Sequence, residues 1–481
     1  MNVGVVGAGM GGLAAAISLA ARGCDVTVWE RADQPGGKVG QSQADGVAFD
    51  TGPSVLDELF AAAGADLESR LALRRPDPWF RYRFSDGSSL EIAHELDRTL
   101  ENVEAAFGRS ARDDFAGFLD YARDIWEAAA PNFIFAPAPS VGRLLGVGLS
   151  APLELWQIDP ISTMSDAIRE RVDDPRLRWL LARYATYVGA DPRRAPATLN
   201  CISWLELGRG GWGVEGGMYE LVRSLAELAG DLGVEIRLGA PVERVECRGG
   251  CVREVTVAGR TEQVDALVYN GEVGSLGRLL DDVELGPIEP DSPPSMSGWT
   301  AVWRSTAPRD ERAAHTVLFP DAYAAEFDAI FERGEVPAEP TVYVCDQSVA
   351  HGRSGWSGAS PLFAMINAPA VDSTDGSPAV ERSRIRTRVR RRLLEAELIE
   401  EGDEVVWERG PGDLAERFAD SGGAIYGRAP HSRLAAFERP SNCVDAVDGL
   451  YLAGAGAHPG AGVPMCLQSG RLAARALDED A

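Results

Sequence analysis

Lysine is almost missing from this chain: Lys38 is its sole lysine among 47 basic residues, so nearly every cation is an arginine. Histidine is scarce as well, and the five present lie far apart in sequence, which argues against a metal site. The seven cysteines (Cys24, Cys201, Cys247, Cys251, Cys345, Cys443 and Cys466) are odd in number and form no CxxC pair. A disulfide framework or zinc site is therefore not expected, and a reducing cytoplasm fits best. Cys247 and Cys251 flank Gly249-Gly250 and read as cross-strand neighbours at a hairpin turn. No apolar run is long enough to span a bilayer as a helix. Met1-Asn2 leads straight into a strand pattern with no basic n-region, so no signal peptide is expected. Positive charge is also deficient. With 73 acidic residues the formal net charge is −26, which repels phosphate backbones and argues against nucleic acid as a partner.

What is present is the composition of a globular protein, 481 residues long, 45% hydrophobic and 25% charged. That length predicts two or three domains. The chain opens on an apolar strand at Val3–Val6, a glycine turn at Gly7–Gly12, an alanine-rich helix over Leu13–Ala21 and a second strand at Asp25–Glu30. Helical patterns follow at 113–127 and 165–188. A glycine-rich loop occupies 210–217, a helix 221–229, and strands 235–238 and 242–257. Four prolines between Pro287 and Pro294 mark a linker. Strand-like alternation at 299–303, 316–319, 341–344 and 362–367 predicts a mostly antiparallel sheet. Residues 382–399, with seven arginines, read as a helix with a solvated face, and 466–477 as a closing helix. Between Glu127 and Glu154 the sole charge is Arg143, and Pro131, Pro137, Pro139 and Pro152 forbid one long helix there.

The chemistry sits in glycine turns. Gly7, Gly9 and Gly12 have GxGxxG spacing between a strand and a helix. Gly7 permits the tight turn, Gly9 lets backbone amides approach a pyrophosphate, and Gly12 lets the helix pack closely. The helix N-terminus then favours an anion. Glu30, ending the second strand, is placed to accept hydrogen bonds from ribose hydroxyls. Next come Arg31, Gly36-Gly37-Lys38 and Phe49-Asp50-Thr51-Gly52-Pro53-Ser54. Near the other terminus runs Gly449 to Met465, with Gly454, Gly456, His458-Pro459-Gly460, Val463, Pro464 and Met465, then Ser469-Gly470-Arg471. Upstream of it lie Tyr426-Gly427 and Arg439-Pro440-Ser441-Asn442.

The N-terminal series resembles the glutathione-reductase-type FAD proteins of the amine oxidase and carotenoid desaturase superfamily. The C-terminal series resembles the bacterial phytoene desaturase family, with its YG, RPxN and GLYLxGxxxHPGxGxPxxxxSGR signature. Gly211-Trp212-Gly213 and Gly216-Gly217-Met218 are similar to that family's central segment. Residues 183–189, 195–197, 341–345, 362–363 and 367–369 are more similar to its 1-hydroxycarotenoid 3,4-desaturase (hydroxyneurosporene desaturase) branch.

The resemblance implies an α/β fold: a discontinuous Rossmann-like FAD-binding domain (1–75, 211–286 and 430–481) and an α+β substrate domain (76–210 and 287–429) with an antiparallel sheet. It implies FAD held by Gly7, Gly9, Gly12, Glu30, Arg31, Gly37, Lys38, Gly52, Pro53, Ser54, Val242, Gly454, Gly456, Val463, Pro464 and Met465. Lys38 stands where arginine is commoner and supplies charge without a bidentate fork. Val242 is the residue whose backbone would meet the adenine. The implied reaction is desaturation of a long isoprenoid in carotenoid biosynthesis, with 3,4-desaturation of a 1-hydroxycarotenoid first and phytoene desaturation as the alternative. A flavin amine oxidase and a non-redox isomerase or escort on the same scaffold are the competing readings. The substrate is hydrophobic, so an apolar tunnel is expected, with 128–153 as its mouth at the cytoplasmic membrane, docked peripherally. No second dinucleotide motif follows a strand, so quinone or oxygen is the expected electron acceptor. His458 is the first candidate for the catalytic base, ahead of His431 and Asp159.

Overall fold

The computed structural model describes residues 1–51, 70–139, 156–280, 288–308, 312–371, 378–418, 420–433 and 438–480, together with 283, 285 and 435. Gly52, Pro53 and Ser54 lie outside the described residues, as do 140–155 of the apolar stretch.

Five parallel strands form one sheet, in the spatial order Leu450–Leu452, Ala266–Tyr269, Asn2–Val6, Asp25–Trp29 and Glu235–Arg237. Val5 pairs with Val268, and Val268 with Tyr451, so both termini of the chain share one ladder. The three inner strands are mostly apolar because both faces are covered. Val3, Val5, Val28 and Val268 pack against the helices Met10–Ala20, Tyr219–Asp231 and Val463–Asp480. Trp29, Leu267, Tyr269 and Leu452 point the other way, onto Val245, Val252 and Val255 of a three-stranded antiparallel meander. In that meander Cys251 pairs with Arg248 and Cys247 with Val252, so the two cysteines sit one rung apart on neighbouring strands. All seven cysteines are free thiols.

A second sheet has seven strands, ordered Glu404–Arg409, Ser297–Ser305, Ser360–Ala368, Val342–Asp346, His315–Leu318, Phe80–Arg83 and Ser89–Ile92. Its pairs are antiparallel except His315–Leu318 against Phe80–Arg83. Side chains alternate faces along a strand, and this sheet uses both. Trp299, Ala301, Trp303, Val344, Ala364 and Ile366 pack under the helix Pro378–Glu395 through Ile385, Val389 and Leu393. These three recur every fourth residue, which places them on one helical face, while Arg382 and Arg386 pair outward with Asp413 and Glu408. The helix ends earlier than its sequence pattern predicts: Glu397 turns to φ 57°, and Leu398 and Ile399 reach the core as a turn. The opposite face presents Thr300, Tyr343, Met365 and Asn367 to a cavity.

Candidate active site

One cavity of about 760 Å³ lies between the two sheets. It is lined by Gly7, Gly9, Glu30, Arg31, Gly37, Lys38, Val242, Gly454, Gly456, His458, Val463, Pro464 and Met465, residues drawn from both ends of the chain. Gly12 does not line it; a Cβ there would collide with the Gly7 carbonyl in the turn that precedes the helix, which fits its packing role. Its other walls are mainly apolar and include Trp126, Ala129, Phe133, Ile134, Ile158 and Leu205. The apolar stretch beginning at residue 128 thus contributes directly to the cavity.

The first glycine turn is held from three sides. Gly7 takes φ 96°, and its amide donates to the Trp29 carbonyl at 2.7 Å. The Gly36 amide donates to the Ala8 carbonyl at 2.8 Å. Glu30 accepts from the Ala8 amide at 2.7 Å and from the Ala32 amide at 2.9 Å. A carboxylate has about four acceptor positions, so lone pairs remain for a ligand. Asn270, unmarked by any sequence motif, closes the turn. Its Nδ2 donates to Gly7 O at 3.2 Å, and Cβ atoms built on Gly9, Gly11 and Gly454 would all fall within 2.8 Å of its amide. The helix Met10–Ala20 has neither a capping side chain nor an acidic residue in its first turn. The helix Val463–Asp480 also opens without an acid, so both favour an external anion.

The other motif residues brace this cradle. Asp50 accepts from the Met218 and Tyr219 amides at 2.6 and 3.3 Å and from Arg353 at 3.0 Å. Burial raises its pKa even so. Gly217 takes φ 110° beside this carboxylate and guanidinium, where a Cβ has no room. Asn442 Nδ2 lies within 3.3 Å of the Leu452, His458 and Ser469 carbonyls, joining strand, turn and final helix. Lys38 reaches across to Glu272 at 2.7 Å and to the Ile425 carbonyl at 2.8 Å, so its charge acts beside the cavity as half of an ion pair.

The chain matches the flavin containing amine oxidoreductase family over residues 10–298. It is 35% identical to hydroxyneurosporene desaturase of Rubrivivax gelatinosus, over 99% of this chain and 93% of that protein. It is 30% identical to carotenoid 3,4-desaturase of Haloarcula japonica, over 100% of this chain and 98% of that protein. The chain belongs to the FAD-dependent carotenoid desaturases. An oxidoreductase from Methanosarcina mazei shares its fold, with a TM-score of 0.63 over 100% of both chains at 16% identity.

The residues of this desaturase fit FAD. Arg439 is half-buried and lines the cavity, donating to the Ala455 and Tyr426 carbonyls at 2.6 and 3.5 Å. It forms no ion pair among the described residues, and desolvation lowers its pKa to about 10. A partly desolvated cation without an ion-pair partner favours an anion, and a pyrophosphate would supply one. Thr51 also lines the cavity, with a buried hydroxyl that has no partner among the described residues. Also among the described residues, no group of histidine, cysteine and carboxylate side chains could hold a metal.

The base candidates separate clearly. The buried His458 lines the cavity, and its Nε2 faces the Ala136 carbonyl at 3.0 Å. A carbonyl only accepts, so Nε2 carries the proton and ties the apolar segment to the cofactor turn. Asp159 is outside the cavity lining, accepting from Tyr121 and the Ser162 amide at 2.7 and 3.1 Å. His431 is outside it too, its Nε2 accepting from the Asp191 amide at 2.9 Å. Burial, with Arg194 nearby, lowers the His431 pKa to about 4. This neutral imidazole stabilises the fold fully above the ordinary histidine pKa of about 6.5, and that contribution is lost as pH falls toward 4. His431→Gln keeps an acceptor but cannot titrate. It should remove about 3 kcal/mol of the stability lost between those pH values, read as a difference in denaturant midpoints. An identical pH slope in both proteins would contradict this.

The segment 183–189, marked by its family resemblance but given no role, joins Glu206, which no motif marks, in a buried polar cluster on the cavity wall. Tyr184 and Tyr187 donate to the two oxygens of Glu206 at 2.7 and 2.6 Å. Arg183 donates to Tyr82 and Tyr187, both at 3.2 Å, and lies 3.8 Å from Glu206. Burial raises the Glu206 pKa, and Arg183 opposes that shift.

Proposed function

We propose that the chain removes two hydrogens from adjacent carbons of a 1-hydroxylated carotenoid, placing a double bond at the 3,4 position. The observation that carries this reading is the continuity of one cavity from the glycine cradle to the apolar walls at Trp126, Phe133 and Ile158. The chemistry supplied by bound FAD is two-electron acceptance, with a hydride leaving one carbon while a proton leaves its neighbour. The chain's part is to align the polyene against the cradle and exclude water. We take 1–75, 211–286 and 430–481 as the cofactor unit, and 76–210 and 287–429 as the substrate unit. Quinone or oxygen is the electron acceptor in this scheme. A panel of carotenoids in liposomes tests the reading. A 1-hydroxylated member should shift to longer wavelength, and no shift with any member of the panel, using FAD-loaded protein, would reject it.

Peripheral docking on the cytoplasmic membrane completes the proposal. Among the described residues no helix is long and apolar enough to cross a membrane. Next to the apolar stretch, Trp156 is 68% exposed and Ile161 52% exposed. Burying such side chains in an interface is worth about 1.5–3 kcal/mol each. The double substitution Trp156→Ser, Ile161→Ser should therefore weaken liposome co-sedimentation by at least about a hundredfold while flavin content holds. Equal co-sedimentation would reject the docking face.

A further inference from the structure

A tunnel built only for hydrocarbon has no use for a carboxyl, a guanidinium and a phenol on its wall. Here Arg183, Tyr187 and Glu206 all line the cavity, and the side chains of Arg183 and Glu206 are 7% and 4% exposed. Burying such groups is costly unless every polar atom is satisfied. Most are, but the Arg183 Nε–H is buried with no partner among the described residues. Glu206 takes one tyrosine hydroxyl on each oxygen, which leaves a lone pair on each. The cluster therefore offers one unmet donor beside an acceptor with capacity to spare. An alcohol, which both donates and accepts, matches that pair.

Position narrows the choice further. The turn carrying Arg183 and Tyr187 ends at Gly189 (φ 66°), whose Cβ would lie 2.7 Å from the Tyr426 ring. The Gly189 carbonyl accepts from the Met296 amide at 3.0 Å, and the Gly427 carbonyl accepts from the Ser295 amide at 2.8 Å. A Cβ on Gly427 would in turn sit 3.7 Å from the Gly456 Cα. The cluster is thus stitched, through one short segment, to the C-terminal glycine turn of the cofactor cradle. In a 1-hydroxylated chain the oxygen stands two carbon–carbon bonds from C3, so a hydroxyl anchor has to lie close to the reacting bond.

Resting on the function proposed above, we infer that Arg183 and Glu206 form the specificity-determining subsite for the substrate hydroxyl, which donates to Glu206 and accepts from the Arg183 Nε–H. Tyr184 and Tyr187 hold the carboxyl in place, and Tyr82 and Tyr187 hold the guanidinium.

The test compares a 1-hydroxycarotenoid with the same polyene carrying hydrogen in place of the hydroxyl. For the wild type, kcat/KM should favour the hydroxylated chain by at least about a hundredfold, since a site built for a hydroxyl leaves buried groups unpaired with the analogue. Glu206→Gln and Arg183→Lys should each reduce that ratio by about tenfold or more. The lysine variant keeps the charge but lacks the Nε–H. A ratio equal to the wild type's in both variants, including an equal fall for both substrates, would overturn the assignment. Should the variants fail to fold, equilibrium binding of the two polyenes to FAD-loaded wild type decides: tighter binding of the hydroxylated chain supports the subsite, and equal binding overturns it. Wild type that binds the hydroxylated chain preferentially but desaturates neither would refute the proposed reaction and leave the subsite standing.

Discussion

Replacing Gly9 by valine is expected to give a protein that folds but purifies without the yellow colour of flavin, because the new side chain occupies the place where a pyrophosphate must approach the backbone. Gly9 has φ −73° and ψ 178°, which any residue adopts, so the defect is one of space and not of backbone strain. A Cβ at this position stands 2.8 Å from Asn270 Nδ2, and valine adds two methyl groups in a cavity wall that should present only N–H donors. Retention of FAD should fall by at least about a hundredfold, equivalent to about 2.7 kcal/mol, with a far-ultraviolet circular dichroism spectrum close to wild type. Stoichiometric flavin in the purified variant would refute the placement of the cofactor at this turn.

Gly470→Ala should be strongly destabilising although it adds a single methyl group. Gly470 lies in the helix Val463–Asp480, where it crosses the helix Met10–Ala20. Its Cβ would run into the Gly11 carbonyl and sit 2.8 Å from the Ala15 amide. Those are backbone atoms, so no rotamer change relieves the contact and the two terminal helices must move apart. Overpacking costs about 1–3 kcal/mol and occasionally more, and here the upper end or beyond is expected, with FAD loss following from separation of the two glycine turns. Gly230→Ala is the control. Gly230 is helical with nothing within 4 Å of a built Cβ, so alanine there should stabilise by up to about 1 kcal/mol through helix propensity. A Gly470→Ala melting temperature at or above that of Gly230→Ala would show that the terminal helices do not meet as closely as described.

The cofactor side of this molecule was largely legible from sequence because glycine turns impose local rules. Gly7, Gly9, Gly454 and Gly456 sit where strand hands over to helix, and the spacing alone marks them. That the two terminal strands share one sheet followed from the family resemblance, and Ala266–Tyr269 is the strand that bridges them. The substrate side was much less legible. The strands Phe80–Arg83 and Ser89–Ile92 join the second sheet through a parallel pair more than two hundred residues away in sequence, and no local pattern records such a partner. Asn270 gave one faint signal, a polar residue closing the apolar strand Ala266–Tyr269, but its meaning depends on glycines at both termini. Arg183, Tyr184 and Tyr187 lie in a segment that the family resemblance marked without giving it a role, Glu206 carried no signal, and their collective burial arises only from tertiary packing. His458 stood out in its motif, yet the carbonyl it faces belongs to Ala136, in a segment whose approach no spacing reveals.

The most direct measurement of the central claim is anaerobic mixing of FAD-loaded protein with a 1-hydroxycarotenoid in liposomes, following flavin and polyene absorbance together. The account predicts that the flavin band bleaches as the polyene bands move to longer wavelength, with one flavin reduced for each double bond formed. A polyene shift with the flavin still oxidised, or bleaching without any change in the polyene, would contradict it.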